Sequence, residues 1–202
     1  MASAEFAEAL GRMDKICPQF HLALQSGSDA VLRRMKRSYN TDQYRNGVRN
    51  LRAVFPRAAF TTDIMTGFPG ETEEDFRDSC RLVEEIGFAR IHVFPYSPRP
   101  DTPAAEMDGQ IPKAVKEARS RELIRIGKQA AARYLESWTG LESVLLPEEQ
   151  VDGRWEGYTP EYIRVRLPEG AACTGGVPVR VRLLSVSSGL MAGEIINEEK
   201  DW

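Results

Sequence analysis

One segment, Thr61–Phe76, constrains the fold more than any other part of the chain. Its sequence indicates a strand, a Gly-Phe-Pro-Gly turn and a helix. Thr72 and Asp75 have the spacing of a capping box, with Asp in place of the usual Glu or Gln. α/β proteins use such units to present backbone amides to an anionic or nucleotide ligand at the carboxyl end of a strand. The segment therefore predicts an α/β fold with a ligand site in this loop.

Strands and amphipathic helices alternate around this segment. The apolar run His21–Leu24 precedes a helix that Ser28 can cap, and Thr41 is the predicted N-cap of the next helix. Ala58–Thr66 and Arg90–Tyr96 are the following strands. Short connections of this kind imply a parallel sheet with right-handed crossovers. Because only about three such strands are present, we expect part of a larger barrel or sheet.

A long helix is predicted from Pro112 to about Ser137. Its predicted apolar side comprises Val115, Leu123, Ile126, Ala130 and Tyr134. After Gly140 the pattern changes to short β runs separated by glycine-containing turns. Four or five short strands predict a small all-β barrel of OB-like type. The candidate strands are Ser143–Pro147, Tyr162–Leu167, Val177–Ser185 and Leu190–Ile196.

The positions of the cysteines limit the chemistry that this chain can perform. Cys17, Cys80 and Cys173 are too far apart for a local zinc or Fe–S loop, so we expect no metal site and a reducing, cytoplasmic location. No secretory signal or membrane-spanning apolar run is visible. His21 and His92 lie in apolar runs and are predicted to be structural.

The net charge of −3 is unevenly distributed. Residues 31–57 contain eight basic residues and one acid, Asp42, which suits either a phosphate-facing surface or a solvated helix face. Residues 140–202 contain six basic and eleven acidic residues. Tight independent RNA binding by this acidic region is therefore not expected.

Three loops follow the predicted strands: Gln25–Ser28, Gly67–Glu71 and Pro95–Thr102. Each loop alone fits a tight turn, a helix cap or an exposed connection. Since ligands of α/β folds bind beyond the carboxyl ends of the strands, the three loops are expected to converge on one mouth.

These segments resemble the radical S-adenosylmethionine (SAM) tRNA methylthiotransferases. His21–Tyr39, Thr62–Phe76 and Ile91–Ala105 are similar to the fourth-, fifth- and sixth-strand segments of that family. Gly157–Val165 resembles part of its TRAM domain. The His-Val-Phe-Pro-Tyr-Ser form and Lys15–Pro18 are most similar to the MtaB subgroup. That subgroup adds a methylthio group to C2 of N6-threonylcarbamoyladenosine at tRNA position 37.

The resemblance implies a partial (β/α) barrel that binds SAM and a [4Fe–4S] cluster, with a second cluster in an upstream domain. It also implies a TRAM barrel that grips the tRNA anticodon arm. Residues 1–138 would then be an α/β partial barrel fragment, and residues 139–202 the small all-β OB-like (TRAM) barrel. The implied cofactor-binding residues are Gln25, Ser26, Thr66, Gly67, Phe68 and Phe94. The implied RNA-facing residues are Ser97, Arg99, Arg164, Arg166, Arg180 and Arg182.

The chain also departs from the family pattern. Nothing in it corresponds to the first three barrel strands, the radical SAM cysteine loop or the upstream domain. Because electron transfer into SAM requires the cluster, this chain alone is expected to be inactive. It would be one part of a methylthiotransferase that requires the missing N-terminal half. The alternatives are a stand-alone RNA-binding TRAM module and an inert truncated product.

Overall fold

The computed structural model describes residues 1–196 of the chain. These residues form two compact units. One comprises Met1–Ile16 and Phe20–Ala130, and the other comprises Cys17–Gln19 and the chain from Ala131 onward. Residues 197–202, at the end of the predicted β-rich region, lie outside the described residues. Among the helices that are described, none is long and apolar enough to span a bilayer.

The first part of the chain is an α/β arrangement, as the sequence predicts. A three-stranded sheet has the order β1-β2-β3. β2 and β3 pair in parallel, and the chain beyond β1 forms a further parallel bridge from Gln25 to Ile64. The elements are α1 (Ala4–Gly11), β1 (Gln19–His21), α2 (Asp29–Arg34), α3 (Thr41–Val54), β2 (Ala59–Thr66), α4 (Glu73–Ile86), β3 (Arg90–Pro95), α5 (Pro103–Glu106) and α6 (Lys113–Glu136).

Local capping fixes where these helices begin. The predicted caps at Ser28 and Thr72 are confirmed, and Thr72 and Asp75 form the reciprocal capping box. The predicted cap at Thr41 is wrong by one residue. Asn40 is the N-cap of α3 because its side chain accepts from the Gln43 amide while the Gln43 side chain accepts from the Asn40 amide.

One face of the sheet packs on the helices. Phe60 and Ile64 of β2 are 1% and 0% exposed and belong to the core of this unit. Its other large buried members are Leu24, Tyr44, Leu51, Phe76, Leu82, Phe88, Leu123 and Ile126. Side chains alternate between the two faces of a strand, so the intervening residues of β2 face the other way.

The opposite face of the sheet carries a polar cluster. Asp63 lies between His21 Nε2 at 3.5 Å and His92 Nδ1 at 3.6 Å. The side chains of His21 and His92 are 50% and 74% exposed. Both histidines lie in strands, His21 in β1 and His92 in β3, but their side chains are not part of the apolar core. The strand alternation places them on the polar face, away from the helices.

Helix α6 follows the predicted apolar pattern only in part. Leu123, Ile126 and Ala130 are buried, whereas Val115 is 37% exposed, which contradicts its predicted place on the apolar side. In the first turns of α6 the residues that face the protein interior are instead Lys116, Ser120 and Leu123. Lys116 Nζ donates to the Tyr96 carbonyl at 2.8 Å, and the Ser120 hydroxyl is hydrogen-bonded to that of Thr66 at 2.7 Å.

The second part of the chain contains a closed five-stranded barrel with the order β4-β5-β6-β8-β7. β6 and β8 pair in parallel, while the other pairs are antiparallel. The strands are β4 (Glu142–Val151), β5 (Arg154–Tyr158), β6 (Arg164–Arg166), β7 (Val179–Ser187) and β8 (Leu190–Ile195). The barrel core comprises Trp138, Leu145, Ile163, Val165, Leu167, Val181, Leu183 and Met191.

Strand β5 is not among the predicted strands, because glycines such as Gly153 and Gly157 in this region suggest turns. Gly157 instead pairs with Pro147 and Val165 inside the barrel wall. A Cβ atom added to Gly157 would lie 1.8 Å from the Leu146 carbonyl oxygen. The glycine is therefore required for close approach of two strands and not for a turn.

We expect Gly157→Ala to destabilise the barrel by about 3 kcal/mol, at the upper end of the cost of overpacking, because the clashing atom is backbone. Gly153 has open space around it and a φ of 73°. Gly153→Ala should therefore lower the free energy of unfolding by only about 1 kcal/mol, which is the cost of placing alanine in a left-handed backbone conformation. Urea unfolding of both variants measures the difference, and equal losses would contradict the packing argument.

Candidate functional site

The three predicted loops meet at the carboxyl end of the sheet. The Gln25 amide donates to the Asp63 carbonyl at 2.8 Å, and the Met65 amide donates to the Gln25 carbonyl at 2.9 Å. The Tyr96 amide donates to the Thr66 carbonyl at 2.8 Å. These hydrogen bonds extend the sheet into the loops, so that the loops lie side by side around one opening, the mouth, at the carboxyl end of the strands.

The first loop is held in an unusual conformation. Gln25 has a φ of 67°, a left-handed backbone that residues other than glycine seldom adopt, and it is 9% exposed. Ser26 is buried and its hydroxyl accepts from the Ser28 amide at 3.2 Å. The Gly27 amide donates to Ser79 Oγ at 2.9 Å. Backbone strain of this kind concentrates at ligand-binding positions.

The second loop is organised around a buried carboxylate. Glu71 Oε2 accepts from the Gly67 amide at 2.5 Å and from the Phe68 amide at 3.3 Å. Its other oxygen accepts from Arg119 Nη1 at 3.1 Å. The sequence predicts that the amides of this loop bind an anionic ligand. For Gly67 and Phe68 that prediction is wrong, because both amides donate to the Glu71 carboxylate.

Two neighbouring carboxylates have opposite pKa shifts. Burial raises the pKa of Glu71, and the hydrogen bond from Gly67 and the charge of Arg119 only partly oppose it. Burial also acts to raise the pKa of Asp75. Hydrogen bonds from Ser28 and Thr72 outweigh it, so the Asp75 pKa lies below its usual 3.8. Asp75 is therefore an anion that fastens the first loop to the start of α4.

An aromatic cluster closes the mouth from the side of the third loop. Phe68 and Tyr96 are nearly buried, with ring centroids 5.4 Å apart in an edge-to-face arrangement. The Tyr96 hydroxyl is buried and has no hydrogen-bond partner among residues 1–196. Such a group suits a ligand that supplies the missing bond.

The remaining predicted residues of this unit have different surroundings. Phe94 lies opposite Met65 on the polar face of the sheet, with its ring centroid 5.5 Å from that of His92. Thr66 is buried and its hydroxyl is bonded to Ser120, so only its backbone is directed to the loops. Ser97 and Arg99 are exposed beyond β3.

Arg119 is the main residue of this site that the sequence interpretation missed. It is 9% exposed on α6, four residues before the buried Leu123. Arginine is usually exposed and is buried only when its charge is paired, so the spacing of Arg119 from the apolar stripe alone does not predict its burial. The neighbouring basic residues of α6, Arg121, Arg125 and Lys128, are exposed.

In the barrel, each of the four predicted RNA-facing arginines is paired with a carboxylate. Arg164 and Arg166 contact Glu156 at 2.7 and 2.5 Å, and Arg164 also contacts Glu149 at 2.8 Å. Arg180 and Arg182 contact Glu142 at 3.0 and 3.1 Å. The sequence signal was present, because glutamates occupy the alternating outward positions of the neighbouring strands.

The cysteines do not fit an Fe–S cluster. Cys17 is exposed, while Cys80 and Cys173 are half-buried. Burial raises the pKa of Cys80 to about 11 and also raises that of Cys173, which opposes formation of the thiolate that binds iron. Within the described part of the chain, no group of three or more His, Cys, Asp and Glu side chains could hold a metal ion.

The chain is similar to tRNA-modifying enzymes. Residues 1–83 match the family model of the radical SAM superfamily. The threonylcarbamoyladenosine tRNA methylthiotransferase MtaB of Bacillus subtilis is 35% identical over 202 residues, 98% of this chain and 45% of the relative. MtaB of Thermotoga maritima is 40% identical over 161 residues, 79% of this chain and 37% of the relative. The tRNA-2-methylthio-N(6)-dimethylallyladenosine synthase of Rhodococcus jostii is 46% identical over 139 residues, 69% of this chain and 28% of the relative. The chain thus spans less than half the length of these relatives.

We expect Glu71→Ala to destabilise the α/β unit by about 3–5 kcal/mol, the usual cost of breaking a buried ion pair. Arg119 would keep a buried charge and the loop amides would lose their acceptor. Glu122→Ala is the matched control, since Glu122 pairs with Arg125 at the surface of the same helix. Its stability in urea should be nearly that of the unaltered chain, and equal losses would contradict the proposed role of Glu71.

The lowered pKa of Asp75 predicts a pH-dependent contribution to stability. The contribution is present above the ordinary value of 3.8 and is lost as the pH falls through the folded-state pKa. Asp75→Asn should therefore be less stable than the unaltered chain at neutral pH, and the gap should narrow near pH 3. Urea unfolding at both pH values, with the exposed Asp42→Asn as a control, measures it. A gap independent of pH would contradict the prediction.

Proposed function

Because the chain belongs to the radical SAM methylthiotransferase family, as a relative of its MtaB enzymes, we propose that it forms the C-terminal part of a tRNA methylthiotransferase. The observation that carries the proposal is the similarity over 98% of the chain, which includes both the α/β unit and the barrel. In this proposal residues 1–138 belong to a partial barrel and residues 139–202 to a TRAM domain.

The mouth of the α/β unit would hold SAM. Gln25, Ser26, the backbone of Thr66–Phe68 and Phe94 are the proposed contacts. Three observations support a ligand there: the left-handed Gln25, the convergence of three loops, and the buried Tyr96 hydroxyl, which has no hydrogen-bond partner among residues 1–196. When bound, SAM supplies the methyl group and the radical chemistry of the family. The residues of this chain bind and orient it, and Glu71 keeps the loop rigid through its bonds to Gly67, Phe68 and Arg119.

The iron–sulfur chemistry would be supplied by residues outside these 202. The raised pKa values of Cys80 and Cys173 support this proposal, as does the exposed, separate position of Cys17. The chain would act together with a segment that holds the [4Fe–4S] clusters.

The proposed substrate is N6-threonylcarbamoyladenosine in the anticodon arm of a tRNA, with C2 as the modified atom. The relatives differ in the adenosine that their names give. The MtaB enzymes are named for a polar threonylcarbamoyl substituent, and the Rhodococcus jostii synthase is named for an apolar dimethylallyl substituent. The polar cluster of His21, Asp63 and His92 on the open face of the sheet favours the polar substituent. The segment His92–Ser97, which resembles the MtaB subgroup, supports the same choice.

A stand-alone RNA-binding module is the second candidate. The closed barrel with four outward arginines favours it. The carboxylates that pair with those arginines oppose it, because phosphate binding requires uncompensated positive charge.

A chimera tests the first proposal. This chain would replace the corresponding C-terminal part of Bacillus subtilis MtaB in a strain that lacks the enzyme. We expect mass spectrometry of tRNA nucleosides to detect the methylthio derivative of threonylcarbamoyladenosine and not that of the dimethylallyl nucleoside. Gln25→Ala should reduce the product, while the exposed Lys128→Ala should not. A stable chimera that contains its clusters but yields no methylthiolated nucleoside would refute the proposal.

A further inference from the structure

We propose that His92 selects the N6 substituent of the modified adenosine, because its Nε2 atom forms a hydrogen bond with a polar substituent and finds no partner in an apolar one. The inference deepens the proposed function and rests on it for the identity of the substrate. In this arrangement His92 contacts the substrate, whereas Asp63 and His21 are positioning residues that orient the His92 ring.

The polar cluster on the open face of the sheet uses most of its polar atoms internally. Asp63 directs one carboxylate oxygen to His21 Nε2 at 3.5 Å and the other to His92 Nδ1 at 3.6 Å. The second ring nitrogen of His21, Nδ1, lies 3.1 Å from the Thr61 hydroxyl. Both oxygens of Asp63 and both nitrogens of His21 therefore already face a partner within the chain.

His92 is the member of the cluster that keeps a polar atom for a ligand. Its Nε2 atom has no hydrogen-bond partner among residues 1–196, and its side chain is 74% exposed. The two nitrogens lie on different sides of an imidazole ring, and the partner of one of them orients the other. Because Nδ1 faces the Asp63 carboxylate, Nε2 is directed away from it and is accessible to a substrate.

The position of His92 along β3 separates it from the proposed SAM contacts. Asp63 pairs with His92, and Met65 pairs with Phe94, two residues nearer the carboxyl ends of the strands. Two residues of a strand span about 7 Å. Phe94 is a proposed SAM contact, and its ring centroid is 5.5 Å from that of His92. A substrate group that binds His92 therefore approaches the sheet next to the proposed SAM contacts and not at them.

The two substituents named for the relatives differ in what they present to His92. A threonylcarbamoyl group has hydroxyl and N–H donors as well as carbonyl and carboxylate acceptors, so it pairs with Nε2 in either tautomer of the ring. A dimethylallyl group has no donor or acceptor and leaves Nε2 desolvated without a partner. A site that hydrogen-bonds its substrate rejects an analogue that lacks the bonding group.

The test uses the purified chimera with Bacillus subtilis MtaB and two anticodon stem-loop RNAs. One RNA carries N6-threonylcarbamoyladenosine and is the substrate. The other carries N6-dimethylallyladenosine and is the competitive inhibitor. Rates of methylthiolation give kcat and KM for the first RNA and the inhibition constant for the second. The ratio of KM to the inhibition constant measures selection of the substituent.

We expect His92→Phe to raise KM for the threonylcarbamoyl RNA about 2- to 13-fold, which corresponds to one hydrogen bond. The kcat should be nearly unchanged, because the bond is present in the ground state and in the transition state. The inhibition constant of the dimethylallyl RNA should not rise, since phenylalanine retains an apolar ring. His92→Gln should keep part of the selectivity, because an amide can donate and accept.

Two further variants complete the design. Asp63→Asn should raise the same KM by a smaller factor than His92→Phe, and combining the two substitutions should add little, because Asp63 acts through His92. The exposed Lys128→Ala is the control and should leave both constants unchanged. Circular dichroism melting of each variant confirms that it is folded.

The inference is overturned if an active His92→Phe chimera has the same ratio of constants as the unaltered chimera. It is also overturned if KM and the inhibition constant rise by the same factor, which indicates a general loss of RNA binding. Additive effects of Asp63→Asn and His92→Phe contradict the positioning role of Asp63.

Failure of the proposed function gives a different result. An unaltered chimera that contains its clusters but yields no methylthiolated nucleoside refutes the proposed function and, with it, this role of His92. An active chimera with unchanged selectivity in His92→Phe refutes the role of His92 alone.

Discussion

The Glu71 carboxylate is the buried group that connects the second loop of the candidate site to the rest of the α/β unit. It joins the Gly-Phe-Pro-Gly turn to α6 through the Gly67 amide and the Arg119 guanidinium. Two further hydrogen bonds hold the same loop, because the Gly70 amide donates to the Gly109 carbonyl at 2.8 Å and Arg34 donates to the Gly70 carbonyl at 2.8 Å. Because the Glu71 carboxylate binds the Gly67 and Phe68 amides, it fixes the loop beside the mouth. These two amides are then not available to bind the phosphate or carboxylate of a ligand.

Glutamates also pair with arginines in the barrel, but there the burial of the glutamate differs from one pair of arginines to the other. Glu156 is buried beneath Arg164 and Arg166, so at this pair the shared acid is covered, and the guanidinium groups meet solvent together with the exposed Glu149 that contacts Arg164. Glu142 is exposed beside Arg180 and Arg182, so neither charge dominates at the surface. The depth of the shared carboxylate therefore differs between the two pairs of arginines, although the two pairs look equivalent in the sequence.

Local signals in the sequence predicted much of this architecture. The cap at Ser28, the Thr72–Asp75 box and the parallel pairing of β2 with β3 follow from patterns within a few residues or from short connections. The Arg119–Glu71 pair and the narrow gap at Gly157 join residues distant in sequence or in different strands. A single sequence does not show which distant residues come into contact, so it predicts neither the Arg119–Glu71 pair nor the close strand approach at Gly157.

The candidate site shows the same division. The family motifs predicted which loops surround the mouth, since each follows a strand, but they did not predict the polar sheet face beneath it. Asp63 lies between His21 and His92 only because β2 runs between β1 and β3 in register. In the proposed enzyme, loops that follow the family pattern would hold the cofactor. The sheet face, whose composition depends on strand order, would then contact the part of the substrate that differs between the relatives.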